Sequence, residues 1–184
     1  MEFNPSQRLG TIFITCGLQL NVLDMETRKP ERNEMITKLI LLWNEQRSRE
    51  LLYLNALKKD KMGTFRRVLS QGHLSAMIFQ REIKWIYDYF KCCLTDKDLD
   101  GNLYSPQIDP NLQVLDSLEK LEQVASFFKC KEEAILKSYR AVSGLIEWDL
   151  DSSKLLKEHR EKIREFYDTM VSQEKEIYKM SRVI

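Results

Sequence analysis

The chain has 184 residues, with 29 Lys and Arg against 28 Asp and Glu, 43% hydrophobic residues, and only 6 Gly and 4 Pro. A net charge of +1 lacks the basic surplus of a dedicated nucleic-acid binder, and so few glycines nearly exclude the phosphate-cradling loops of nucleotide enzymes. Aromatic residues supply too much apolar surface for disorder, and scarce breakers with 31% charged residues favour long helices with one apolar seam.

Residues 1–10 read as a loose terminus. The stretch 11–23 is apolar and ambiguous. Leu18, Leu20 and Val22 alternate as in a strand, yet a short buried helix fits equally. It is apolar enough to suggest a signal peptide, but Gln19 and Asn21 interrupt it and Glu2 weakens the expected basic start. No segment reaches the length of a membrane span. Pro30 lies in a charged connector that opens the next helix.

From about 31 to 71 the spacing predicts a helix. Ile36, Leu39, Ile40, Trp43, Leu51, Leu54, Leu57, Phe65 and Val68 recur at threes, fours and their multiples. Gly63 marks a kink or break within it, and Gln71–Gly72 is its expected stop. A second helix is expected over 74–94, with Leu74, Ile78, Trp85, Ile86, Tyr89 and Cys93 on one face. Residues 96–110 are the clearest loop, with Asp–Gly, two prolines and four aspartates.

Asp109–Pro110 then supplies an N-cap and a first-position proline. Beyond it Val114, Leu118, Leu121, Ala125, Phe128, Glu132, Ile135, Tyr139, Val142, Ile146 and Asp149 alternate fours and threes. A straight helix drifts ~20° per heptad against that 3.5-residue period, so the seam calls for a supercoiled partner inside or outside the chain. A second block in a different register runs through Leu156, His159, Ile163, Phe166, Met170, Gln173, Ile177, Met180 and Ile184. Either the helix continues with a stammer or the chain turns back near Asp151. Asp151 and two serines favour the turn. The last residue, Ile184, falls on a core position with no C-cap, as in a helix that continues or docks on a partner.

Few groups suggest chemistry. The loop 96–107 resembles an EF-hand calcium loop, with Asp96, Asp98 and Asp100 at positions one, three and five, Gly101 at six, and the Asn102 carbonyl at seven. Position twelve departs from that pattern: Gln107 stands where a bidentate carboxylate belongs, and Pro106 and Pro110 break the exiting helix. A polar turn is the favoured reading, with calcium as the alternative cofactor and none otherwise. The basic cluster Lys58, Lys59, Lys61, Arg66 and Arg67, with Met62 and Phe65 interleaved, resembles a calmodulin target or a patch for an acidic surface. A solvated helix face with two inward apolar residues is favoured over it. Acidic residues gather over 96–122, and the two patches could meet within the fold or across an interface. His73 and His159 have no metal-like neighbours; His159 reads as a register-setting residue in the seam, loosened by protonation if buried. Trp43, Trp85 and Trp148 read as core anchors. Cys16, Cys92, Cys93 and Cys130 have no disulfide or zinc spacing and indicate reduced thiols.

The expectation is an all-α antiparallel helical bundle with long coiled-coil helices and a short N-terminal strand or helix. Its parts are an N-terminal segment (1–30), a helical hairpin (31–94), an acidic loop (95–110) and a coiled-coil hairpin or rod (111–184). The expected function is a non-enzymatic cytoplasmic scaffold or adaptor, in a cytoskeletal or multi-subunit assembly. It would bind a protein partner, another copy included, through the seam Leu156, Ile163, Phe166, Met170 and Ile177. Neither nucleic acid nor a membrane span is expected. The alternative is a calcium-responsive regulator switched at 96–107.

Overall fold

A computed structural model describes the backbone of residues 29–92 and 109–181, and side chains over 33–92 and 109–175. Among the described residues five helices follow in chain order: α1 (Lys29–Leu57), α2 (Phe65–Lys91), α3 (Pro110–Ser117), α4 (Leu121–Ser143) and α5 (Leu150–Ser181). Met35–Ile184 forms one unit; Met1–Glu34 forms another, described only in the opening turns of α1. The ambiguous stretch 11–23 and the calcium-like residues Asp96, Asp98, Asp100, Asn102 and Gln107 lie outside the described residues.

The fold is the expected all-α bundle. Contacts between helices give each neighbouring pair its direction. Along α1, Glu45, Arg49 and Tyr53 meet Ser138, Glu132 and Phe128 of α4 in descending order, so these helices run antiparallel. Glu82 and Phe79 of α2 meet His159 of α5, while Val68 and Thr169 line one groove further along, so these run antiparallel too. Tyr139 with His159 and Lys129 with Glu174 give the same sense to α4 and α5. The ring order is α1, α2, α5, α4, with α3 a short helix ahead of α4.

Local signals explain several boundaries. Asp109 accepts from the Asn111 backbone N–H at 2.9 Å, and Pro110 follows it, as the sequence predicts. The helix expected over 31–71, with a kink or break at Gly63, breaks at 58–64, where Lys61 and Gly63 take positive φ values of 62° and 47°. The expected stop at Gln71–Gly72 is not one: α2 runs through both. Gly72 packs directly against α1, and a Cβ there would strike the Tyr53 ring. Absence of a side chain serves packing at this position, not termination.

The helix expected to run unbroken from 111 also breaks, at 118–120, where Leu118 and Lys120 are extended. Lys59 donates to the carbonyls of Asp116 and Leu118 at 3.2 and 2.9 Å, satisfying the end of α3. Leu115 is therefore buried in place of Val114, and the heptad register is buried from Ala125 to Ile146 but does not reach back across the break. The turn between the last two helices lies at 144–149, slightly ahead of the expected Asp151. Asp149 caps α5 by accepting from the Ser152 N–H at 3.1 Å. The hairpin, not the rod, is the arrangement of α4 and α5.

Two apolar clusters fill the bundle. One gathers Met35, Leu39 and Leu42 of α1 with Ile83, Ile86 and Phe90 of α2, Tyr139 and Val142 of α4, and Leu156 and Ile163 of α5. The other gathers Leu52, Tyr53 and Ala56 with Phe65, Leu69, Leu115, Val124, Phe128 and Met170. On α1 the buried register differs from the expected one. Leu52 and Tyr53 point inward, whereas Leu51 and Leu54 are exposed.

Candidate interaction surface and the polar layer beneath it

The inner face of α2 buries Phe65, Leu69, Ala76, Phe79, Ile83, Ile86 and Phe90. The outer face carries Leu74, Met77, Ile78, Trp85 and Tyr89, all exposed, with Trp85 at 61% and Tyr89 at 60%. The sequence reading put Leu74, Ile78, Trp85, Ile86, Tyr89 and Cys93 on one face; of these the structure buries Ile86 and exposes Leu74, Ile78, Trp85 and Tyr89, while Cys93 lies outside the described residues. Both faces of α2 are apolar, and the face with Phe79, Ile83 and Phe90 is the one that fills the bundle. The stripe from 74 to 89 spans about 22 Å at ~1.5 Å per residue. Arg81 lies on it with its guanidinium 5.9 Å from the centre of the Trp85 ring.

A half-open groove of about 380 Å³ runs along the flank of this stripe, between α2 and α5. Val68, Leu74, Ile78, Phe79 and Phe166 make its apolar lining, and Lys162 and Glu165, paired at 2.5 Å, are among its polar residues.

Under the groove lies a layer of polar side chains between the two apolar clusters. Arg49 is 2% exposed and Glu132 0%; Arg49 Nε donates to Glu132 Oε1 at 2.8 Å, and the Tyr53 hydroxyl donates to the same oxygen at 2.5 Å. Arg49 Nη1 donates to Ser75 Oγ at 2.9 Å, and its guanidinium faces the rings of Tyr53, Phe79 and Phe166. Ser75, Phe79 and Phe166 line the groove, so the buried arginine holds its floor from behind. Burial alone would lower the Arg49 pKa, but the charge and hydrogen bond of Glu132 together with the neighbouring Tyr53 and Tyr139 outweigh it, and the pKa is raised. Burial, and then the same carboxylate, raises Tyr53 well above its ordinary value. Among the described residues, Arg49 Nη2, Gln46 Nε2 and Glu132 Oε2 make no hydrogen bond within the protein. A buried pair of this kind contributes little net stability, yet losing one partner strands the other charge.

His159 adjoins this layer. Its Nε2 meets Glu82 Oε2 at 2.7 Å and its Nδ1 meets the Tyr139 hydroxyl at 3.0 Å, while the ring stacks on Phe79 at 3.9 Å. A carboxylate only accepts, so the neutral ring carries its proton on Nε2 and Nδ1 accepts from Tyr139. Burial lowers the His159 pKa, with Glu82 acting in the opposite direction. Both nitrogens are engaged, which suits a register-setting group better than a base awaiting substrate.

The remaining sequence-derived residues fall as follows. Leu156, Ile163, Phe166 and Met170 are buried in the chain's own core, so they are not a partner-facing seam. The side partner that their heptads require is α4 of the same chain. Ile177 lies in α5 beyond the described side chains. The cluster Lys58, Lys59, Lys61, Arg66 and Arg67 sits in and just after the α1–α2 turn. Lys59 caps α3, Arg66 donates to the Lys59 carbonyl at 2.8 Å, and Met62 and Phe65 are buried, as the inward-apolar reading expects. Trp43 is half-buried against the first cluster, but Trp85 and Trp148 are exposed and are not core anchors. Cys92 and Cys130 are exposed free thiols. Among the described residues no His, Cys, Asp and Glu group forms a metal-like cluster, and no helix is long and apolar enough to cross a membrane.

Sequence reasoning missed Arg49 and misassigned the outer stripe. Glu132 was visible as one polar residue in an apolar heptad position. Nothing local marked Arg49, whose partner is 83 residues away. Compared with known proteins, the chain matches no family model, no curated protein and no solved structure.

Proposed function

We propose that this protein is a non-enzymatic helical adaptor in a multi-subunit assembly, and that it binds its partner through the outer face of α2. The observation that carries this reading is the exposed stripe Leu74, Met77, Ile78, Trp85 and Tyr89, on a helix whose other face is the bundle core. Monomeric soluble proteins seldom leave several large apolar side chains contiguous in water, and aromatic residues in such a patch are the usual anchors of protein interfaces. The flanking groove adds an apolar trough of the kind that receives a partner helix. Intramolecular burial of the α5 seam turns the reading away from coiled-coil exchange and toward α2. Exposed free Cys92 and Cys130 fit a reducing, cytoplasmic setting.

A photo-reactive phenylalanine analogue in place of Trp85 tests this in cells. Discrete cross-linked species are expected from position 85 and not from Glu133 on the exposed side of α4. Adding Leu74→Glu should remove them. Identical patterns from both positions, or none from either, would sink the reading.

A further inference from the structure

The spacing along the outer face of α2 identifies one partner. Leu74, Ile78, Trp85 and Tyr89 are separated by four, seven and four residues. That spacing is symmetric about the peptide bond between Arg81 and Glu82. Laid against a second copy in the opposite direction, Leu74 of each chain meets Tyr89 of the other and Ile78 meets Trp85. These four contacts each pair one aliphatic with one aromatic side chain, and Met77, opposite the buried Ile86, lies beside them without a counterpart. A parallel arrangement would instead put Trp85 against Trp85 and leave the aliphatic pairs short of contact. Two-fold interfaces are self-complementary in this sense, residue i meeting j and j meeting i.

We propose that the outer face of α2 pairs antiparallel with the same face of a second copy of this chain. This rests on reading that face as an interaction surface. A stripe about 22 Å long and about 10 Å wide covers roughly 220 Å², small beside the roughly 800 Å² per partner of stable interfaces, so the dimer forms and dissociates with concentration. The two Arg81 side chains come near the axis, each drawn over its own Trp85 ring.

Sedimentation equilibrium of the full chain over a concentration series is the test. The wild type is expected to pass reversibly from monomer to dimer. Ile78→Lys and Trp85→Glu alter exposed side chains, so each should keep its helical circular dichroism and remain monomeric. Leu74→Glu replaces either if it does not fold. An equimolar mixture of Ile78→Lys and Trp85→Glu chains should dimerise again, because an antiparallel register sets the new lysine of one chain opposite the new glutamate of the other. A wild type that stays monomeric, a dimer that survives both substitutions, or a mixture that does not recover would each overturn the proposal. A monomeric wild type that still cross-links to another protein from position 85 leaves the adaptor reading standing. One without such cross-links ends both.

Discussion

Both faces of α2 carry large apolar side chains, and they meet different fates. Phe79, Ile83, Ile86 and Phe90 are buried among four helices, while Leu74, Ile78, Trp85 and Tyr89 are exposed about 120° around the helix. What separates them is shape and company. The inner row lies on the same side as Gly72, which admits the Tyr53 ring, and Ser75, which accepts from Arg49. Only that face matches what α1 and α5 present. The outer row has no such complement within the described chain, and it is on this difference that the proposed interface rests.

The largest expected effect lies in the polar layer behind the inner face. Glu132→Ala strands Arg49 in the core and should lower stability in urea by about 3–5 kcal/mol. Replacing both, as Arg49→Met with Glu132→Leu, should recover most of that loss. If the double variant is no better than the single one, the layer is held by Tyr53 and Ser75 more than by charge pairing. Next comes the inner face itself. Ile83→Ala should cost about 2–5 kcal/mol through lost burial and the cavity left behind.

How much of this was legible depends on whether the deciding contact was local. The Asp109–Pro110 start and the buried register from Ala125 to Ile146 could be read directly, because a cap and a heptad are carried by neighbouring residues. The break at 118–120 could not. Its residues are ordinary helix formers, and the group that satisfies the broken end is Lys59, from another element. Gly63 marked its break through backbone freedom, whereas Gly72 looked the same and meant close packing. The faces of α2 were illegible for the same reason as Arg49. Periodicity says that a helix has an apolar side, not which of two apolar sides another helix will cover.

His159 gives a smaller effect with a defined sign. Its pKa is lowered in the folded state from an ordinary value near 6.5, so the unfolded chain binds the proton more readily. Its contribution is complete above that value and is lost as pH falls below it toward the folded pKa. The groups around it come from four helices: Glu82, Tyr139, Arg49 and Glu158. Thermal melts from pH 7.5 to 5.5 should show falling stability, and His159→Gln should flatten that part of the slope. An unchanged slope would place the pH sensitivity in another group whose pKa folding lowers, and not in Glu45, whose pKa burial raises and which acts in the opposite sense.

The smallest effect is the most discriminating between the two faces. In dilute solution Trp85→Ala removes a side chain that is 61% exposed, and surface changes of this kind stay within about 0.5 kcal/mol. Ile83→Ala should be equally damaging at every protein concentration, because what it loses lies within one chain. Trp85→Ala should not behave this way. If the outer face pairs with another copy, the wild type gains stability by mass action as concentration rises, and the variant does not. The gap between their melting temperatures should therefore open with concentration from nearly nothing. A gap that is large at dilution would mean that Trp85 packs within the chain after all. A gap that never opens would leave the outer face without self-association to explain it.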